Sequence, residues 1–202
     1  MEKSHINKEH KVFFTSDLHI GHSRIIDFTG RPYNDVKEMN DALIGNWNKV
    51  VSPEGIVFLL GDIIWSDSSH EFNRLMRKLN GTKHIIMGNH DSKKALRNLP
   101  ENCILHDDIV HLWIDGTKIE FVLSHYPLYS WQGIQMGVIN LHGHIHSGEN
   151  SHNGFDTAFV SNYHYDIGVD NNDYYPVELD KLIEKINILR SKNLPQSIIY
   201  SF

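Results

Sequence analysis

The chain has 202 residues, of which 40% are hydrophobic and 22% charged, with a formal net charge of −6 and one cysteine, Cys103. This composition is that of an ordinary globular domain, and a single cysteine excludes an intrachain disulfide and a sulfur-based metal site. The negative charge argues against stable binding to duplex nucleic acid, and no apolar run approaches the ~20 residues that span a bilayer. We therefore expect a cytoplasmic protein with one domain over residues 1–202, in which residues 1–10 form a flexible leader.

The first half of the chain alternates apolar strand-like runs with amphipathic helices. Buried strands are predicted at residues 11–16, 55–60 and 83–87. A helix is predicted over 35–50, where Asp35 and Glu38 resemble a capping box, and a second helix over 68–79. This alternation indicates parallel strands joined by helical crossovers.

The second half has a different pattern. Residues 109–114 and 117–123 flank Asp115-Gly116, which is a two-residue hairpin signal. Further strands are predicted at 138–141 and 165–169, a closing helix at 178–190, and a loop near the functional site at 148–163. Parallel strands followed by antiparallel strands favour an α/β fold in which two sheets pack face to face with helices outside.

Five short clusters of aspartate, asparagine and histidine each follow a strand-like run. They are Asp17-Leu18-His19, Gly61-Asp62, Gly88-Asn89-His90-Asp91, His125 and Gly143-His144-Ile145-His146. On a strand, residues i and i+2 point the same way, so each His-containing i, i+2 pair is predicted to reach one metal ion. The glycines are expected to let the backbone turn sharply at the strand ends. Carboxylates and imidazoles suit first-row divalent metals.

Taken in order, these clusters resemble the motifs of the calcineurin-like metallophosphoesterases. Every motif stands here without substitution, and the resemblance runs from about residue 12 to about residue 177. It implies a four-layer sandwich of two mixed β-sheets, face to face, with helices on the outside. It also implies two divalent metal ions, for which manganese is favoured and iron, zinc and nickel are alternatives.

The resemblance further implies a role for each cluster residue. The first ion is assigned to Asp17, His19 and His146, the second to Asn89, His125 and His144, with Asp62 bridging both through its two oxygens. A metal-bridging hydroxide is then the expected nucleophile. His90 is the expected general acid that protonates the leaving oxygen, and Asp91 is expected to orient His90.

Three residues outside the motifs have two interpretations each. His22 is a candidate substrate-binding residue or an ordinary residue of a first helical turn. Arg31 is a candidate phosphate clamp or a surface charge. Trp65 is a candidate platform on which a base or ring of the substrate stacks, or an ordinary residue of the apolar core.

The expected activity is hydrolysis of a small phosphodiester, with nucleotides among the candidates and with no membrane partner. One alternative is a phosphomonoesterase that uses the same dinuclear site. The absence of arginine between Asp62 and Arg74, and between His90 and Arg97, disfavours that alternative. The second alternative is a non-catalytic metal-binding scaffold, which the intact set of ligands disfavours. The sequence leaves the oligomeric state open.

Overall fold

The chain forms two β-sheets of five strands each, and the computed structural model describes residues 1–7, 9–146 and 163–193. The loop predicted at 148–163 lies outside the described residues, except for Tyr163. Among the residues that are described, no helix combines the length and the apolar character that crossing a membrane requires.

Sheet 1 contains the strands predicted in the first half of the chain. Its order is β10 (Val177–Glu178), β2 (Val12–Thr15), β3 (Ile56–Leu59), β4 (Thr82–Ile85) and β5 (Cys103–Leu105). Strands β2 to β5 are parallel, and β10 runs antiparallel to β2. The predicted parallel pairing of the first half is therefore confirmed.

Sheet 2 contains the second half of the chain and the N-terminal segment. Its order is β1 (Glu2–Ile6), β6 (Ile109–Ile114), β7 (Glu120–Ser124), β8 (Ile139–His142) and β9 (His164–Asp166). Only β6 and β7 pair in antiparallel orientation. Both sheets are mixed, as the resemblance implies.

The predicted flexible leader is wrong over residues 2–6, which form β1. This strand pairs with β6 from Glu2, opposite Val110, to Ile6, opposite Ile114. It lies at the sheet edge and buries only Ile6 fully, so its sequence lacks the apolar run by which the other strands are recognised. The Glu2 carboxylate also accepts hydrogen bonds from the His106 ring (2.7 Å) and the Asp107 amide (2.9 Å).

The hairpin between β6 and β7 is longer than predicted. Trp113 pairs with Glu120, and the Ile114 amide donates to the Ile119 carbonyl at 3.1 Å, which leaves a four-residue loop at 115–118. Gly116 has φ +73°, whereas Asp115 keeps an ordinary negative φ. The tight two-residue turn needs positive φ at both central positions, so it does not form here.

In the described part of the chain, four α-helices accompany the sheets: α1 (Arg24–Thr29), α2 (Val36–Val50), α3 (Ser69–Lys78) and α4 (Leu179–Asn193). The Asp35 side chain caps α2 by accepting from the Glu38 amide at 2.8 Å, as predicted. The Glu38 carboxylate completes the turn by accepting from the Asn34 amide at 2.8 Å, one residue before the position that a capping box uses.

The apolar core has three parts. Helices α1 to α3 pack on the outer face of sheet 1, where Ile25, Met39 and Phe72 meet Phe13 and Val57. The inner faces of the two sheets enclose a second cluster, which α4 joins through its own apolar residues. The outer face of sheet 2 carries a third, smaller cluster that the segment around the 3-10 helix Ile134–Met136 covers. The chain is thus an α/β sandwich of the expected class.

Candidate dinuclear metal centre

All seven predicted metal ligands lie just beyond the carboxyl ends of strands. They are Asp17 and His19 after β2, Asp62 after β3, Asn89 after β4, His125 after β7, and His144 and His146 after β8. Parallel strands bring their carboxyl ends to one edge of a sheet, and ligand sites of α/β proteins form in such places. Here the two sheets contribute ligands to the same edge.

Five of these seven residues have a left-handed backbone. The φ angles are 58° at Asp17, 50° at His19, 53° at Asp62, 70° at His144 and 46° at His146. Strand alternation was predicted to bring each ligand pair to one metal ion, but β2 and β8 end before the pairs. Sharp turns of non-glycine residues place the ligands instead: Asp17 and His19 share a cluster, whereas His144 and His146 lie in different clusters. Such backbone conformations cost free energy that the surrounding structure must offset.

Gly61 makes the predicted sharp turn, with φ +90°, whereas Gly88 and Gly143 serve close approach of the backbone. A Cβ at Gly143 would clash with the side chains of Ser16 and Asp17, and a Cβ at Gly88 would clash with the Asp62 carboxylate. Neither of these glycines has a positive φ. They let two ligand loops pass within contact distance of each other.

The first cluster consists of Asp17, His19 and His146, each of which offers a ligand atom within 4.8 Å of the others. The Nδ1 of His146 donates to Asp170 at 2.7 Å, so its Nε2 faces Asp17, 3.9 Å from Oδ1. The Nε2 of His19 is buried and has no hydrogen-bond partner among the described residues. An unpaired buried nitrogen is costly, and a cation bound at this atom would remove the cost.

The second cluster consists of Asp62, His125 and His144, whose ligand atoms also lie within 4.8 Å of one another. The Nδ1 of His125 donates to the Leu60 carbonyl at 2.8 Å, which leaves Nε2 as an acceptor. This Nε2 lies 2.8 Å from the Asn89 Oδ1. Two acceptor atoms that converge in this way suit a shared cation.

Asp62 lies between the two clusters and faces both with one oxygen. Its Oδ2 is 3.5 Å from the His19 Nε2 and 3.6 Å from the His125 Nε2. Its Oδ1 accepts a hydrogen bond from the His90 amide at 2.8 Å. Asp62 is therefore the residue that both cations would share, with Oδ2 facing both clusters; a bridge through both oxygens stays a prediction.

The pKa shifts follow from burial of this group of side chains. Burial raises the pKa of Asp17 to about 6, and burial together with His125 lowers the pKa of His144 to about 4. Burial and the neighbouring His146 lower the pKa of His19. Burial alone would also lower the pKa of His146, but the carboxylates of Asp17 and Asp170 raise it to about 8.

Arg31 is neither a phosphate clamp nor a surface charge, so both interpretations of this residue are wrong. Its side chain is only 4% exposed. Its guanidinium donates to both carboxylate oxygens of Asp170 (2.8 and 2.9 Å) and to the carbonyls of Asp17 (2.8 Å) and Leu18 (3.0 Å). These internal acceptors occupy the donors that a substrate phosphate would need.

Asp170 is the functional residue that the sequence analysis missed. Burial alone would raise its pKa, but Arg31 and His146 lower it to about 2, so it stays ionised and holds the His146 ring through Nδ1. Second carboxylates of this kind fix the orientation of a ligating histidine. Asp170 follows the predicted strand 165–169, just as the recognised clusters follow theirs, and that position was the available signal.

Asp91 does not orient His90, so the role predicted for it is wrong. Its carboxylate accepts hydrogen bonds from the amides of Asp62 (2.8 Å), Ile63 (2.9 Å) and Gly88 (2.9 Å). Since β3 and β4 are neighbours, Asp91 ties together the loops that follow them. It thereby fixes the backbone that carries Asp62.

His90 and His22 line an open cavity of about 710 Å³ next to the two clusters. The His90 ring is exposed, and its centroid lies 5.4 Å from that of His19. His22 precedes α1, is 9% exposed, and stacks on Trp65 with a centroid distance of 4.0 Å. Trp65 is half exposed and therefore does not belong to the core. Substrate binding by His22 stays a prediction.

Comparisons with known proteins agree with this architecture. A family model described as calcineurin-like phosphoesterase matches residues 10–199. The chain is 34% identical to the uncharacterized protein MJ1445 of Methanocaldococcus jannaschii, over 91% of this chain and 97% of that one. It is 28% identical to the gene 66 protein of Mycobacterium phage L5, over 67% of this chain and 77% of that one. A crystal structure of the Aquifex aeolicus protein of unknown function AQ665 has the same fold, with a TM-score of 0.66 and 24% identity, and covers 88% of this chain and 100% of that one.

Proposed function

This chain belongs to the calcineurin-like phosphoesterase family, and from that premise we propose that it hydrolyses a phosphodiester with His90 as the general acid. The family and the two clusters of metal-binding side chains make it a metal-dependent phosphoesterase. The preference for diesters, the metal and the proton donor are the parts that we propose.

The donor set suits two divalent cations. Asp17, His19 and His146 would hold one, Asn89, His125 and His144 the other, and the Asp62 Oδ2 would lie between them. Carboxylate, amide and imidazole ligands without sulfur suit first-row divalent metals, among which we propose manganese, with iron, zinc and nickel as alternatives. When bound, such cations lower the pKa of water and offset the negative charge of the phosphate.

The observation that carries the proposal is the position of His90. It belongs to neither ligand cluster, yet its ring lines the same cavity as the ligands. Its amide donates to the bridging carboxylate of Asp62 at 2.8 Å, which fixes the backbone beside the reacting centre. Among the described residues, the His90 ring makes no hydrogen bond, so it can donate a proton to the leaving oxygen of an ester.

The cationic side chains of the cavity support a diester over a monoester. Arg24 is the one lysine or arginine that lines the described part of the cavity, and Arg31 is occupied internally. A diester carries one negative charge at the phosphate and a monoester up to two, so a monoester calls for more cationic donors. A phosphomonoesterase stays the alternative. A non-catalytic scaffold is disfavoured because no ligand has been lost.

The experiment is hydrolysis of bis-p-nitrophenyl phosphate and of an alkyl diester across a series of added metals, with His90→Asn and the control His70→Asn. His70 lies exposed on α3, away from the cavity. General-acid catalysis contributes roughly 10²- to 10⁴-fold, and p-nitrophenolate leaves without needing a proton. We therefore expect His90→Asn to slow the alkyl ester far more than the nitrophenyl ester, and His70→Asn to slow neither.

Two results would contradict the proposal. An equal loss of turnover for both esters in His90→Asn would show that His90 is not the general acid. No turnover of any ester by the unmodified protein, with any of the metals, would favour a binding module over an enzyme.

A further inference from the structure

The cavity beside the candidate metal centre carries an aromatic surface that the proposed hydrolysis does not use. Trp65 is 50% exposed and Phe28 is 55% exposed, and both line this cavity. Large apolar side chains at the surface are informative when they cluster at a concave site. Here they cluster next to the groups that would hold a phosphate.

The Trp65 ring is held in a defined position. It stacks on the His22 ring with a centroid distance of 4.0 Å and an interplanar angle of 9°. The Trp65 amide donates to the Ile20 carbonyl at 2.8 Å, so its backbone is tied to the segment that carries His19. The indole thus stands as a preformed platform, since its orientation is fixed without a ligand.

The platform lies close to the reacting groups. The centroid of the Trp65 ring is 5.1 Å from that of the His90 ring, and the His90 ring in turn lies 5.4 Å from that of His19. A substrate group in contact with Trp65 is therefore separated from the candidate metal ligand His19 by little more than the His90 ring.

The size and charge of the cavity limit what the rest of the substrate is. A volume of about 710 Å³ is far larger than a phosphate group and falls in the range typical of small organic ligands. The α1 side of the cavity offers one cation, Arg24, and one anion, Asp27. These charges offset each other, so this side favours an uncharged organic group over a second phosphate.

We infer that Trp65, together with Phe28, binds a planar heteroaromatic ring of the substrate, which makes the substrate a nucleotide-type phosphoester. The inference rests on the proposed function, because the phosphate must lie at the metal centre for its ring to reach Trp65. Stacking of a base on an aromatic side chain strengthens binding roughly fivefold or more. An aliphatic diester has no ring face to offer and gains no such preference.

The test measures the contribution of the ring alone. Equilibrium dialysis of the manganese-supplemented protein compares adenosine 5′-monophosphate with ribose 5-phosphate, which differ only in the base. We expect the unmodified protein to bind the nucleotide about fivefold more tightly or better. Trp65→Ala should bring this ratio towards one, and Trp65→Phe should keep most of it.

The control is Tyr129→Ala, which removes an aromatic side chain that is 89% exposed and lies outside the cavity. This variant should keep the ratio of the unmodified protein. Each ratio is measured within one protein, so differences in metal loading between variants cancel. A ratio near one in the unmodified protein, or an unchanged ratio in Trp65→Ala, would overturn the inference.

Hydrolysis of bis-p-nitrophenyl phosphate separates this inference from the proposed function. If the protein cleaves this ester but shows no preference for the base, the inference fails and the phosphoesterase stands. If it prefers the nucleotide through Trp65 but cleaves no ester, the platform stands as a nucleotide-binding site and the proposed hydrolysis fails.

Discussion

Asp170 orients the candidate ligand His146 and is itself fixed by Arg31. Its carboxylate oxygens accept hydrogen bonds from the His146 Nδ1 at 2.7 Å and from two guanidinium nitrogens of Arg31 at 2.8 and 2.9 Å. Because Arg31 also binds the carbonyls of Asp17 and Leu18, the backbone of one ligand and the ring of another share one support. The support connects the loops that follow β2 and β9.

We predict that Asp170→Asn weakens metal binding while leaving every direct ligand in place. The amide loses the charge that pairs with Arg31 and holds the His146 ring less firmly. Loss of such a support typically costs about 10- to 100-fold in metal affinity. Calorimetric titration of the metal-free protein with manganese measures the effect.

Asp173→Asn is the matched control, since Asp173 lies exposed in the same loop. It should titrate like the unmodified protein. Equal affinities of the Asp170→Asn and Asp173→Asn proteins would show that Asp170 does not position His146.

At this scale the sequence indicated which residues are candidate ligands but not which residues support them. Each candidate ligand stands in a short motif after an apolar run, so local pattern was sufficient to propose it. The partners of Arg31 and Asp170, and the Asp62 and Ile63 amides that bind Asp91, lie on other loops, and no spacing rule connects them to their motifs. Both roles predicted from chain proximity, for Arg31 and for Asp91, were wrong for this reason.

Among the secondary-structure elements, α2 is the helix whose start is most clearly encoded. Asp35 caps it at the Glu38 amide, and the Glu38 carboxylate returns to the Asn34 amide. The helix buries Met39, Leu43 and Trp47 against sheet 1. The cap therefore fixes where the helix begins and hence which of its faces meets the sheet.

We predict that Asp35→Ala lowers the stability of the protein by about 1 kcal/mol, since it leaves helix amides at the N-terminus without an acceptor. For a chain of this length, that corresponds to a fall in Tm of roughly 2–4 °C. Thermal unfolding followed by circular dichroism measures it. Asp41→Ala on the same helix, which removes only the exposed pair with Lys37, should change Tm little. Equal shifts in the two variants would contradict the capping role.

The elements that the sequence analysis missed include the edge strand β1 and two very short strands. Strands β5 and β10 have three and two residues. In β5, two of the three residues are exposed. Such segments carry too few apolar residues to show a period, and their structure depends on pairing with strands distant in sequence. The longer helices and the buried parallel strands were predictable because each encodes its own buried face.

For the whole molecule, the ligand cluster couples stability to pH. His146 has a folded-state pKa of about 8, compared with about 6.5 for an unperturbed histidine. The charged ring therefore stabilises the metal-free protein fully below pH ~6.5, and this contribution is lost as the pH rises through 8. The raised pKa of Asp17, about 6, acts at lower pH, whereas the lowered pKa of His144, about 4, adds stability as the pH rises through the unfolded value near 6.5.

We predict that the unfolding free energy of the metal-free protein, taken relative to that of His146→Gln, falls by about 1.5 kcal/mol between pH 6.5 and pH 8.5. Urea unfolding of both proteins in the presence of a chelator measures this difference, in which the contributions of the other histidines cancel. Added manganese should instead stabilise the unmodified protein more as the pH rises, because the cation needs His146 unprotonated and binds the folded state alone. A difference that stays level across this range would contradict the assignment to His146.

The left-handed backbone at Asp17, His19, Asp62, His144 and His146 has a consequence for protein engineering. Glycine adopts this conformation at lower cost than any of the residues present, so a substitution to glycine at any of these positions would relieve backbone strain and remove a candidate metal ligand in one step. Any search for stabilising substitutions in this protein should leave these five positions unaltered.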